Sequence, residues 1–307
     1  KGLIFTGPSW FLEKYKMKIA IYSRGGETVR QEDLILLLDE LEKHKISCYI
    51  QHYFFEQVRH LFPPNQYATF IDAGDLDDSF ECIISMGGDG TLLDTLTFIR
   101  DSNIPVLGIN FGRLGFLATL GKHELTDAVN ALANRTYVID KRSLIHLDAS
   151  IPLFGKTPYA LNEFAIHKRD TSSMIRIHTY LNGEFLNTYW ADGIIVSTPT
   201  GSTGYSLSCN GPILFPDSGS FIITPVAPHN LNVRPIVIPD DSIVSFEIEG
   251  RTDQFICALD SRREIVNKDI QLAVKKEAFT ISLVRLSENS FLQTLRGKLS
   301  WGLDKRN

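Results

Sequence analysis

From Met17 to about Arg142, short apolar runs alternate with stretches whose apolar residues recur at helical spacing. Residues 18–23 predict a strand, and 32–43 a helix with Leu34, Leu37, Leu38 and Leu41 on one face. Strands follow at 47–51, 81–86 and 105–110, and helices at 91–100 and 125–133. Such alternation predicts a largely parallel sheet with helices on its faces. Past Arg142 the pattern becomes alternating or β-branched, at 144–150, 160–167, 174–181, 193–197, 221–224, 243–248, 255–259 and 279–284. Asn182-Gly183 between two such runs is a hairpin signal, and 250–253 marks another turn. Residues 290–298 return to helical spacing. The reading is an α/β N-terminal domain over 1–142, an all-β sandwich over 143–286, and a C-terminal tail helix, about 287–307, returning to the first domain.

Composition narrows the function classes. The 307 residues suffice for two ordinary domains, and 43% hydrophobic with 22% charged content is normal for a soluble globular chain. A net charge of −5 and a pI of about 5.9 suit neither nucleic acid nor an anionic membrane. An anionic small molecule would then be held by local backbone donors rather than by the overall field. Cys48, Cys82, Cys209 and Cys257 are far apart and never form Cys-x-x-Cys, as expected of reduced thiols in a cytoplasmic protein. No apolar run approaches the roughly 18–20 residues of a membrane span. Residues 1–16 lack a signal-peptide layout and read as an extension ahead of a first strand at Met17.

Several common motifs fail. A P-loop would need glycine where Ser150 stands, and Gly-x-Gly-x-x-Gly begins at Gly88 but breaks at Leu93. The eight histidines show no metal-ligand spacing, and Gly201-Ser202-Thr203-Gly204 is not a nucleophile elbow.

Four segments remain. In the first, Gly87, Gly88 and Gly90 surround Asp89 ahead of Thr91, between an apolar run and a helix start. Glycines let the backbone approach a bound group closely, and a helix amino end offers N–H groups to an anion. A phosphate would be welcome here, beside a carboxylate able to accept a proton; helix capping alone needs only one Asp or Thr. The second, 110–116, follows a strand, so its glycines either shape the opposite wall of the same site or form an ordinary turn. The third is Asn162-Glu163, which taken alone fits an exposed strand end and also fits a grip on ribose hydroxyls. The fourth runs from Ala191 to Ser208: an apolar strand feeding hydroxyls and glycines, with Tyr205 available to stack on a base.

Together these segments resemble the NAD kinase family, which makes NADP by phosphorylating NAD. The resemblance runs through nearly the whole chain from Met17, and includes 108–117, Asp260 near a strand end, and Lys298 to Asp304 with Trp301. It implies an α/β domain, a β-sandwich domain and a ligand cleft between them. It implies Asp89 as the proton acceptor for the 2′-hydroxyl of the adenosine ribose, with Gly87, Gly88 and Thr91 completing the phosphate loop. Gly90, Asn162, Glu163, Asp192, Thr203, Gly204, Tyr205, Ser206, Leu207, Ser208 and Arg262 are the implied NAD contacts. ATP as donor (polyphosphate in some members), a divalent cation such as Mg²⁺, and a homodimer or homotetramer are implied too. No protein metal ligands are assigned. Departures are Gly204 where Ala is common, Trp190 where some members carry a basic residue, and Arg262 where an uncharged amide is frequent. Two other functions share parts of this pattern. A lipid kinase of the diacylglycerol-kinase type carries a similar glycine loop but needs an apolar or membrane-facing patch, and a non-catalytic NAD(P) sensor has no need of Asp89.

Overall fold

The computed structural model describes residues 17–25, 29–64, 66–169, 173–286 and 290–300. The extension 1–16 and the tail residues Trp301 and Asp304 lie outside them. The described residues fall into two compact units, one from those up to Lys141 with those from Ser282 onward, the other from Arg142–Ile281.

The first unit is built on a parallel sheet. Its strands are β1 (Met17–Tyr22), β2 (Ile46–Gln51), β3 (Ala68–Phe70), β4 (Phe80–Met86) and β5 (Val106–Asn110), in the order β5-β4-β1-β2-β3, with the two-residue β6 (Leu120–Gly121) beside β5. Ile19, Ala20 and Ile21 are successive and all fully buried, as in a strand covered on both faces. The covering helices are α1 (Gln31–Lys43), α2 (His52–Val58), α3 (Asp89–Ile99) and α4 (Leu125–Asn134). Leu34, Leu37, Leu38 and Leu41 of α1 pack on the sheet residues Ile19, Ile21 and Ile50 in one core. Neither α2 nor β3 is apparent from periodicity. α2 follows β2 without a loop, Gln51 accepting the Phe54 N–H at 3.1 Å, and β3 has only three residues.

The second unit is a sandwich. Its strands are β7 (Val138–Ala149, from Arg142 on), β8 (Tyr159–Ala160), β9 (Glu163–Lys168), β10 (Ile175–Leu181), β11 (Glu184–Ala191), β12 (Gly193–Ser197), β13 (Ser220–Val226), β14 (Ile236–Pro239), β15 (Val244–Glu249), β16 (Gln254–Leu259), β17 (Arg262–Asn267) and β18 (Leu272–Arg285, up to Ile281). One sheet runs β14-β13-β12-β9-β16-β17; the other contains β11-β10-β15-β18, with β7 beside β18. Phe164, Val196, Phe221 and Phe255 of the first sheet meet Ile177 and Phe246 of the second in one core. The expected hairpin is present, with Asn182 at φ 50° and Gly183 at φ 84° joining β10 to β11. The segment expected at 160–167 is broken: Leu161 and Asn162 separate β8 from β9. The edge strands β14 and β17 escaped the pattern because most of their residues are exposed or half-buried. The second unit also carries the short helix α5 (Tyr205–Ser208); after that unit, α6 (Phe291–Leu299) starts at a Ser290–Gln293 capping box and groups with the first unit.

Candidate active site

In the first unit, β4 and β5 are adjacent and parallel, so the loops after them leave the same sheet edge side by side. Gly87 turns with φ 152°, and a side chain there would strike Thr91. α3 begins at Asp89, two residues earlier than periodicity indicates. Its N-cap is Gly88, which has no side chain to take the first free N–H groups. The Asp89 carboxylate does not take them either. It points to the 110–118 loop, where Oδ2 accepts the Phe116 N–H at 2.8 Å and Oδ1 accepts those of Leu117 and Ala118 at 3.1 and 2.9 Å. That loop is stiffened by Asn110, which accepts the Gly112 N–H at 2.9 Å and donates to the Arg113 carbonyl at 2.7 Å. A methyl group on Gly115 would fall 2.8 Å from Asp89 Oδ2 and closer still to Oδ1. The two glycine-rich stretches therefore meet at one carboxylate. With three N–H groups on it, one of the roughly four lone-pair directions of that carboxylate is left for another donor.

The loop after β1 adds a brace that sequence reasoning missed. Arg24 pairs with both oxygens of Asp94 at 2.5 and 2.7 Å and donates to the Gly90 carbonyl at 3.0 Å. Tyr22 donates to the same carboxylate at 2.9 Å. Arg24 thus ties the first turn of α3 to β1.

In the second unit, Asn162-Glu163 and the 198–208 run share one corner. Thr198 donates its N–H to the Asn162 carbonyl at 2.9 Å and its hydroxyl to the Leu161 carbonyl at 2.5 Å. Gly201 lies against the Asn162 backbone, and Gly204 against Glu163 Oε2. The Tyr205 N–H points at the Glu163 carboxyl, and its ring stacks on His167 with centroids 5.5 Å apart. Asp192 is paired with Lys168 at 2.6 Å, and buried Arg142 donates to Thr200 at 3.1 Å. The other candidate contacts differ in what they present. The Thr203 hydroxyl donates to the Thr200 carbonyl, and that of Ser206 turns inward to Thr224 at 2.8 Å. Leu207 is half-buried and Ser208 exposed. The Arg262 guanidinium is engaged by Thr157 at 2.6 Å and by the Tyr159 carbonyl.

Asp260 underlies this corner and was apparent beforehand only through the family resemblance. Its carboxylate accepts the N–H groups of Leu161, Asn162 and Glu163 at 2.9, 2.8 and 3.2 Å. Burial, and then the charge of Asp260, push Glu163 up to about 8, opposed by the Tyr205 N–H. Burial also raises Asp260, against its three N–H donors and Arg262. Burial lowers His167, favouring the neutral ring.

Comparison with known proteins identifies the family. Two family models match, the ATP-NAD kinase N-terminal domain over residues 43–137 and the ATP-NAD kinase C-terminal domain over 161–286. The NAD kinase of Cytophaga hutchinsonii is 53% identical over 273 residues, covering 88% of this chain and 93% of its own. That of Flavobacterium psychrophilum is 45% identical over 294 residues, covering 95% and 100%. The chain belongs to the NAD kinase family. Its fold is shared with yeast NADH kinase solved with NADH, at a TM-score of 0.84 and 21% identity over 94% of this chain and 88% of that one. An Archaeoglobus fulgidus NAD kinase solved with ATP gives 0.72 and 22%, over 92% and 99%. In this NAD kinase family member, Trp190 stacks on His229 at 4.4 Å, with the Arg176 guanidinium 5.9 Å from its ring. Among the described residues, no group of three or more His, Cys, Asp and Glu side chains is placed to hold a metal ion. No helix among them is long and apolar enough to cross a membrane.

Proposed function

We propose that this chain, an ATP-dependent NAD kinase, transfers the terminal phosphoryl group of ATP to the 2′-hydroxyl of the adenosine ribose, with Asp89 as proton acceptor. The observation that carries the assignment is the Asp89 carboxylate at the amino end of α3, held by the N–H groups of Phe116, Leu117 and Ala118 with a lone-pair direction left for another donor. The hydroxyl oxygen attacks phosphorus, the bond to the bridging oxygen of ATP breaks, ADP leaves, and the hydroxyl proton passes to Asp89. The N–H groups left by Gly88 and the early turn of α3 suit the phosphates. Asn162 and Glu163 hold the ribose, Tyr205 stacks on a base, and Asp192 with Thr203 and Gly204 completes the NAD contacts. Positioning of this kind supplies a large share of phosphoryl-transfer rates. Asp89 is occupied by backbone donors, so a Mg²⁺ ion would take its ligands mainly from donor phosphates and water. Its chemistry is neutralisation of phosphate charge. Burial of Cys82 and Cys257 as free thiols fits a reducing cytoplasm. We assign a homodimer or homotetramer as the working form, which sedimentation analysis decides.

One assay tests the activity. With ATP, Mg²⁺ and NAD, a stoichiometric rise in NADP is expected; NAD binding without NADP formation would indicate a sensor, and a phosphorylated lipid a lipid kinase. A second test concerns the brace. Arg24→Ala is expected to raise KM for ATP about fivefold by loosening the first turn of α3, with under about 1 kcal/mol lost in stability, since the pair is partly exposed. An unchanged KM would remove Arg24 from the phosphate loop.

A further inference from the structure

Asp260 holds the backbone N–H of Glu163 and its charge acts on the Glu163 carboxyl, a feature the transfer scheme leaves unexplained. Asp260 leaves β16 in the left-handed region at φ 53°, and its own N–H returns to the Glu163 carbonyl at 3.0 Å. Both its oxygens take donors: Oδ1 those of Asn162 and Glu163, Oδ2 that of Leu161. Glu163 is served differently. The Tyr205 N–H is the donor that favours its ionised form, while Oε2 is buried and has no partner among the described residues.

We propose that Asp260 is a positioning residue for the ribose grip, fixing the backbone of Asn162 and Glu163 and, by its charge, making Glu163 meet the sugar as a hydrogen-bond donor. This rests on the reading that Glu163 holds the ribose of NAD.

The charge of Asp260 adds to burial in favouring the protonated form of Glu163. Burial raises Asp260, while the three N–H groups on its two oxygens and the charge of Arg262 favour its ionised form. Glu163, pushed up to about 8 and with an Oε2 that faces no donor among the described residues, is the carboxyl placed to carry a proton. The neighbouring groups do not change this outcome. Tyr205 is raised, burial first, and stays neutral; His167 is lowered by burial and stays neutral; Lys168 is paired with Asp192. A protonated carboxyl donates from one oxygen and accepts at the other, as an amide does. The sign follows directly. The protonated form binds, so NAD affinity is complete below about pH 8 and falls as pH rises through it, about tenfold per unit.

The test is titration calorimetry of NAD across that range, with Glu163→Gln as a permanent mimic of the protonated form. E163Q is expected to bind within about threefold of wild type at neutral pH and to lose the alkaline weakening. Asp260→Asn is expected to move the weakening about one pH unit lower, because the like charge is gone, and to raise KM for NAD more than it lowers kcat. Binding more than about tenfold weaker in E163Q at neutral pH, or wild-type affinity that is flat with pH, would overturn the proposal. If circular dichroism shows D260N unfolded, E163Q decides alone. Glu163→Ala separates the two levels: unchanged NAD affinity there means that Glu163 does not grip the ribose at all.

Discussion

Asp89→Asn is expected to lose about a thousandfold in kcat while binding NAD within about threefold of wild type. The carboxylate has two tasks, and the substitution affects them unequally. As proton acceptor it is lost outright, because an amide oxygen is too weak a base to take the ribose proton. As loop anchor it is half kept. The amide oxygen still accepts the N–H groups of Leu117 and Ala118, but its NH₂ faces the Phe116 N–H, donor against donor. That mismatch costs about 1–3 kcal/mol locally, within the total stability of a folded domain. Calorimetry of NAD binding alongside turnover separates the tasks. Near-normal kcat would remove Asp89 as the base, and a parallel loss of NAD binding would make it a loop anchor only.

The fold class was legible because burial leaves a period. The buried stretches Ile19 to Ile21 in β1 and Cys82 to Ile84 in β4 are continuous apolar runs, and α1 shows Leu34, Leu37, Leu38 and Leu41 on one face. Elements that bury little left no such mark. β14 and β17 lie at sheet edges, and α2 follows β2 with no turn residue between them. The site was legible in part. Three glycines around Asp89 signal a close backbone approach, but not that its carboxylate would anchor residues 27 to 29 positions away. Asp260 acts on residues 97 to 99 positions earlier, and nothing local to β16 announces it. The hydroxyls of 198–208 could be counted in the sequence, yet only the fold separates Ser206, turned inward to Thr224, from Tyr205, exposed beside Glu163.

Gly201→Ala is the second large effect expected, and it arises without removing any polar group. A methyl group at Gly201 would lie 2.8 Å from Asn162 Cα, and closer still to its carbonyl carbon and oxygen. Both surfaces are backbone, so no rotamer relieves the contact. The 198–208 run must then back away from Asn162 and Glu163, straining the Thr198 bonds to the Asn162 and Leu161 carbonyls. Overpacking of this kind costs about 1–3 kcal/mol. The loss in function should be larger, because a displacement of about 1 Å can cost about a hundredfold when positioning supplies the rate. We expect kcat/KM for NAD to fall about that far, with thermal melting as the reference for folding. Gly297→Ala is the matched substitution: it lies exposed on α6 with nothing within 4 Å of the added methyl, and should leave turnover unchanged. If Gly201→Ala turns over NAD as Gly297→Ala does, the close approach of Gly201 to Asn162 is a packing detail and the 198–208 run does not position the ribose grip. If its melting midpoint drops only a few degrees while kcat/KM collapses, placement of Asn162 and Glu163 is what that glycine secures.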